Sequence, residues 1–127
     1  MKRGVTMVEV WKPIKNYEGC YEISNLGRVK SLARQVKGGR ITEEIILKPV
    51  KNSHGYLQVD LCLSGKMKHH KIHRLVAEAF IPKTDEAKDT VNHIDYNKFN
   101  NCVDNLEWLS NRENVQDYFK KKGEREG

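Results

Sequence analysis

The sequence predicts an α+β fold in which short antiparallel sheets come first and a strand–loop–strand–helix unit comes last. Three observations lead there. Short runs alternate apolar and polar residues between turn residues, the mark of half-buried antiparallel strands. Helical spacing shows at Leu75, Val76, Ala79 and Phe80, and again at Val115, Tyr118 and Phe119. The chain has 127 residues, with 38% hydrophobic and 31% charged, which suits one domain or two very small lobes with a modest core.

Tyr21 to Ser24 alternates and reads as a strand. Asn25-Leu26-Gly27-Arg28 turns it, with Gly27 free to take positive φ. Val29 to Leu32 returns, and Trp11 to Ile14 leads into Tyr17-Glu18-Gly19 as an aromatic cap over this small sheet. Ile45 to Lys48 is a strand stopped by Pro49. Tyr56 to Leu63 alternates most clearly, Ser64-Gly65-Lys66 turns it, and Lys68 to Ile72 returns. His73 to Phe80 is a short helix ended by Pro82. Thr90 to Ile94 and Leu106 to Leu109 are the arms of a hairpin with a long polar loop. Ser110 with Glu113 makes a capping box at the start of the last helix, and Lys120 to Lys122 suits its C-terminal dipole.

The formal charge is +6 and the pI about 9.2. That balance leaves a nucleic-acid partner and a plain basic surface equally open. Cys20, Cys62 and Cys102 are scattered and odd in number, so neither a disulfide framework nor a four-ligand zinc site is indicated. No apolar run approaches the roughly 20 residues of a membrane span, and the first ten residues do not read as a signal peptide. Free thiols in a reducing cytosol are the simplest expectation.

One stretch carries chemistry. Asn92, His93, Asn105 and Asn114 set a ladder of amides around one imidazole. A hydrolytic site with a single metal ion uses such groups: a neutral imidazole to take a proton from water, and oxygen atoms to hold a hard cation. His69, His70 and His73 are close in sequence, but His69 and His70 alternate on a strand and diverge. His73 is expected to anchor its helix by a hydrogen bond. Trp108 and Phe80 are expected to be core residues.

Thr90 to Gln116 resembles the catalytic unit of HNH endonucleases of the phage and intron homing type, the ββα-metal fold. The carriers are Val91-Asn92-His93-Ile94-Asp95, Asn100-Asn101, Asn105-Leu106-Glu107-Trp108 and Glu113-Asn114. His73 to Phe80 is similar to a segment that precedes this unit in such nucleases. Trp11 to Ile14, Tyr17 to Gly19 and Tyr21 to Ser31 resemble the N-terminal DNA-binding module attached to many of them. The resemblance implies a β-rich DNA-binding module over residues 8–68 and an HNH ββα-metal unit over residues 69–122.

It also implies roles. His93 would be the general base. Asn92 and Asn114 would bind one divalent cation, Mg²⁺ or Mn²⁺, and Asn105 would hold the loop and orient His93 through a hydrogen bond. The expected substrate is double-stranded DNA, cut to 5′-phosphate and 3′-hydroxyl ends. Arg28, Lys30, Arg34, Lys51, Lys68 and Arg74 are the candidate DNA contacts. Neither a membrane nor a small-molecule cofactor is expected, and the setting is the cytoplasm of a bacterial host, with the gene carried by a phage or mobile element. Many relatives carry Asp where Asn92 stands, which leaves a non-catalytic DNA-binding module derived from such a nuclease as the alternative.

Overall fold

The structure is a computed structural model that describes residues 8–35 and 38–113. Asn114, and with it Val115, Tyr118, Phe119 and Lys120 to Lys122 of the expected last helix, lies outside the described residues. In chain order the strands are β1 (Trp11–Pro13), β2 (Tyr21–Ser24), β3 (Val29–Ser31), β4 (Arg34–Gln35), β5 (Ile41–Thr42), β6 (Ile45–Ile46), β7 (Val50–Lys51), β8 (Leu57–Leu63), β9 (Lys66–Lys71), β10 (Thr90–His93) and β11 (Leu106–Leu109). The helix α1 (Ile72–Phe80) joins β9 to β10, and a 3₁₀ turn (Val103–Asn105) precedes β11. Antiparallel pairing groups the strands as β1-β2-β3-β6, β4-β5, β7-β8-β9 and β10-β11. The fold class is α+β, as the alternating patterns predict.

Two turns follow from residues that tolerate positive φ. Gly27 closes the β2–β3 turn at φ 86°. Ser64 and Gly65 close β8–β9 at φ 52° and 77°, a two-residue turn with both centres left-handed, whose twist matches that of the strands it joins. It sets the long register from Gln58↔Lys71 to Leu63↔Lys66.

α1 is the piece that every sheet with a buried face uses. Its Ile72, Leu75 and Val76 recur at helical spacing and are buried. The helix packs on β2, β8, β9, β10 and β11, and it ends where Ile81 turns extended before Pro82. Ile14, Tyr21, Ile23 and Val29 of the first sheet, Val59 and Leu61 of β8, and Val91 and Leu106 of the hairpin join it in one cluster. Each fully buried aliphatic side chain stabilises by about 1.5–3 kcal/mol. Residues on both sides of position 68 thus share one core.

Two local expectations need correction. Trp11 to Pro13 is not a cap over the first sheet: it is the sheet's edge strand, paired Trp11↔Ser24 to Pro13↔Glu22, and Ile14 and Tyr17 behind it reach the core instead. The Ile45 to Lys48 strand is cut to two residues, both with exposed side chains, because only Lys30 and Ser31 offer it a ladder. Among the described residues no helix is long and apolar enough to cross a membrane.

Candidate active site

β10 and β11 pair in regular register, Asn92↔Glu107 and His93↔Leu106, and β10 ends at His93. Alternation puts Val91 and His93 on the buried face and Asn92 on the half-buried one. His93 is therefore aimed inward at the last rung of the ladder, where the chain turns through Tyr96 N–H to His93 O.

The loop between the strands is knotted by its own amides. The Asp95 carboxylate accepts from Asn97 N–H, from the Asn100 amide at 2.9 Å and from the Asn105 amide at 2.9 Å. Asn105 also donates to Asn100 O and accepts from Asp95 N–H. These bonds, Asn100's first, hold the Asp95 carboxyl below its usual range. Asn105 thus holds the loop, but it does not orient the imidazole. That hydrogen bond belongs to Asn101: His93 Nε2–H donates to its Oδ1 at 2.7 Å, in a buried setting. The chain geometry decides the exchange, because Asn105 lies at the base of the loop facing Asp95 while Asn101 lies beside the ring.

Two more rings close on His93. The His73 ring on α1 is 4.9 Å from it, tilted by 53°. The Tyr56 ring, just before β8, stacks 6.0 Å from His93 and 4.9 Å from His73. His73 does not anchor its helix as expected. Its Nδ1 is buried with no hydrogen-bond partner among the described residues, and the ring lies against Tyr56 and His93 instead. Burial lowers the pKa of His93, while the Asn101 bond and Asp95 pull the other way. Burial, followed by repulsion from His93, pushes His73 down to about 3. Both rings are neutral near pH 7, and a neutral imidazole is the form that can accept a proton.

The described donor set suits a hard cation only loosely. Among the described residues no three His, Cys, Asp or Glu side chains gather into a cage. Asn92 offers a neutral amide oxygen at the end of β10, and Asn114 lies outside the described residues. Such a set fits an Mg²⁺-type ion that keeps waters and takes phosphate oxygens as further ligands, not a resident ion in a closed shell. His69 and His70 diverge as expected, His69 to Asp60 and His70 to the Tyr17 hydroxyl at 3.0 Å.

The basic candidates separate. Lys68 and Arg74 line one groove with Lys12, Lys15, Lys71 and Lys83. Lys51 is exposed on β7. Arg28 pairs with Glu9, and Lys30 lies 4.1 Å over the Trp11 ring. Arg34 is turned inward, and its guanidinium donates to Cys20 O, Leu32 O, Ser31 Oγ and the Tyr21 hydroxyl. Trp108 is half-buried against the core, with its indole N–H on Ile81 O.

Asn101, Tyr56 and the His73 stack are what sequence reading missed. Asn101 stands in the polar loop beside Asn100 with nothing in the spacing to set it apart. Tyr56 is remote from the hairpin and only folding brings it there.

Residues 9–62 match the NUMOD4 motif and residues 70–116 match the HNH endonuclease family. The DNA endonuclease I-HmuI of Bacillus phage SP01 is 40% identical over 106 residues, 84% of this chain and 55% of that protein. An HNH endonuclease of Acanthamoeba polyphaga mimivirus is 39% identical over 112 residues, 85% of this chain and 25% of its own length. The chain therefore spans about half or less of these relatives. A solved structure on DNA binding and cleavage by the HNH homing endonuclease I-HmuI superimposes with TM-score 0.72 at 37% identity, over 89% of this chain and 59% of that one. The strand–loop–strand site around His93, the segments matched in order on either side of the β8–β9 turn and the shared architecture agree: residues 70–116 of this chain are an HNH endonuclease unit, with a NUMOD4 motif ahead of it over residues 9–62.

Proposed function

We propose that the chain is a metal-dependent endonuclease that nicks or cleaves double-stranded DNA, with His93 as general base. The observation that carries this reading is the setting of His93. It is a neutral, buried imidazole at the end of β10, held by one hydrogen bond from Nε2. With that nitrogen occupied, the ring's lone pair is on Nδ1, ready to take a proton from water. Asn92 and Asn114 are the residues that would hold one Mg²⁺ or Mn²⁺ ion. When bound, that ion supplies charge stabilisation at the scissile phosphate and the leaving 3′ oxygen. Asn105 keeps the loop closed at its base through Asp95 and Asn100.

The groove formed by Lys12, Lys15, Lys68, Lys71, Arg74 and Lys83 supports a duplex partner, since phosphate contacts from such side chains position DNA without reading its sequence. Lys51 and Arg28 are further candidates with exposed side chains, Lys30 is a candidate held between Trp11, Glu22 and Glu44, and Arg34 is set aside because its guanidinium is turned inward onto Cys20 O, Leu32 O, Ser31 Oγ and the Tyr21 hydroxyl. The kinship with a phage enzyme supports action inside a bacterial host cell.

Plasmid cleavage with Mg²⁺ or Mn²⁺ tests the reading. His93→Ala is expected to lower the cleavage rate by roughly 10²–10⁴-fold while gel-shift binding of the same DNA persists. The second reading, a non-catalytic DNA-binding module, draws on the uncharged Asn92. Wild-type protein that binds DNA but cuts with no divalent ion would establish it.

A further inference from the structure

We propose that Asn101 is the positioning residue that fixes the tautomer of His93, and that the Ser24–Gly27 turn of the first sheet buttresses it from the far side. The proposal rests on the reading of His93 as the base, and it makes the N-terminal segment a working part of the catalytic centre.

The chemistry of the contact is one-sided. An amide oxygen can only accept, so the 2.7 Å contact from His93 Nε2 to Asn101 Oδ1 requires the proton on Nε2. The other neutral tautomer would set two lone pairs against each other in a buried site. Asn101 therefore selects which nitrogen is basic and, because the bond is directional, where that nitrogen points.

Asn101 is itself held from two sides. On one side Asn100 is tied into the Asp95–Asn105 knot. On the other lies the turn between β2 and β3. Val103 N–H donates to Asn25 O at 2.8 Å, and Cys102 Sγ approaches Leu26 O. At Gly27 a Cβ atom would come within 2.9 Å of Asn101 Cβ and 3.1 Å of its carbonyl oxygen. Gly27 also has φ 86°, so glycine is required both by the backbone and by the close approach. The turn is stiff in its own right. Ser24 Oγ accepts from Leu26 N–H and Arg28 N–H, and the Asn25 side chain pairs with Val10 N–H and Val8 O. Asn25, Leu26 and Gly27 thus form a wall that leaves Asn101 one place to stand.

Mere loop glue would stabilise the protein without choosing a tautomer, and the test separates the two. The 127-residue chain, labelled with ¹⁵N at histidine, is examined by long-range ¹H–¹⁵N correlation at a pH where the ring is neutral, beside single-turnover plasmid cleavage with Mn²⁺ and gel-shift binding. The wild type is expected to show His93 in the Nε2–H form. Asn101→Ala is expected to mix the tautomers and slow cleavage by roughly 10–100-fold with DNA affinity unchanged. Asn101→Asp, whose carboxylate accepts the same proton, is expected to keep the Nε2–H form. Gly27→Ala is expected to disturb the His93 signals although it lies on another sheet. A folded Asn101→Ala protein with the wild-type tautomer and rate overturns the proposal. Should that variant not fold, a folded Gly27→Ala protein with unchanged His93 signals and rate overturns the buttress and the proposal with it. If His93→Ala cleaves normally while Asn101→Ala still mixes the tautomers, it is the base assignment that has failed and not the contact.

Discussion

Burial holds His73 neutral, and that has a consequence for stability. Its pKa is pushed down from 6.5 to about 3, first by burial and then by the nearby His93. Between those values the unfolded chain binds a proton that the folded protein refuses. The stability is therefore complete above pH 6.5 and is lost as pH falls toward 3. Over the step from pH 6.5 to pH 5 the loss is about 2 kcal/mol. Urea unfolding at the two pH values checks it, and His73→Phe, which keeps the ring stack without a titrating nitrogen, is expected to flatten the dependence. Asn92 carries the second prediction at this scale. A carboxylate adds ligand charge that an amide lacks, so Asn92→Asp is expected to lower the Mn²⁺ concentration for half-maximal cleavage by on the order of tenfold. An unchanged requirement would remove Asn92 from the metal site.

At the scale of elements, the capping box opens the last helix as its spacing predicts. Glu113 N–H donates to Ser110 Oγ at 3.1 Å, and Ser110 N–H donates to Glu113 Oε1 at 3.0 Å. Ser110→Ala is expected to cost about 1 kcal/mol in urea unfolding, with Ser110→Asp close to the wild type. Such local signals were legible because each is closed within a few residues. The hairpin β10–β11 was legible for the same reason: two short strand-like arms flank a loop rich in Asn and Asp. β1 was not, since Trp11-Lys12-Pro13 is short and ends on a proline, and such a run becomes a strand only because β2 presents an edge to it. The roles of Asn101 and Asn105 could not be told apart in sequence either. Both are amides in one loop, and only the path of the backbone sets one against the imidazole and the other against Asp95.

At the scale of the molecule, the described residues share one core built from both matched segments. α1 lies within the HNH match, yet its Ile72, Leu75 and Val76 share a cluster with Tyr21 and Ile23 of β2 and with Val59 and Leu61 of β8. A piece comprising residues 69–122 loses that cover and is expected to give a poorly dispersed NMR spectrum and no cooperative melt. A dispersed spectrum with a sharp melt would show that the HNH unit stands alone. The α+β class, the β2–β3 and β8–β9 pairs, α1, the hairpin with its capping box and the likeness to HNH endonucleases could be read from the sequence, because periodicity, turn residues and motif spacing are properties of short stretches. What surrounds His93 is set by the tertiary fold. Asn101, His73, Tyr56 and the Gly27 turn come from four separate stretches of chain, and their meeting depends on how α1 is shared between the sheets, a many-body packing result that no local pattern encodes.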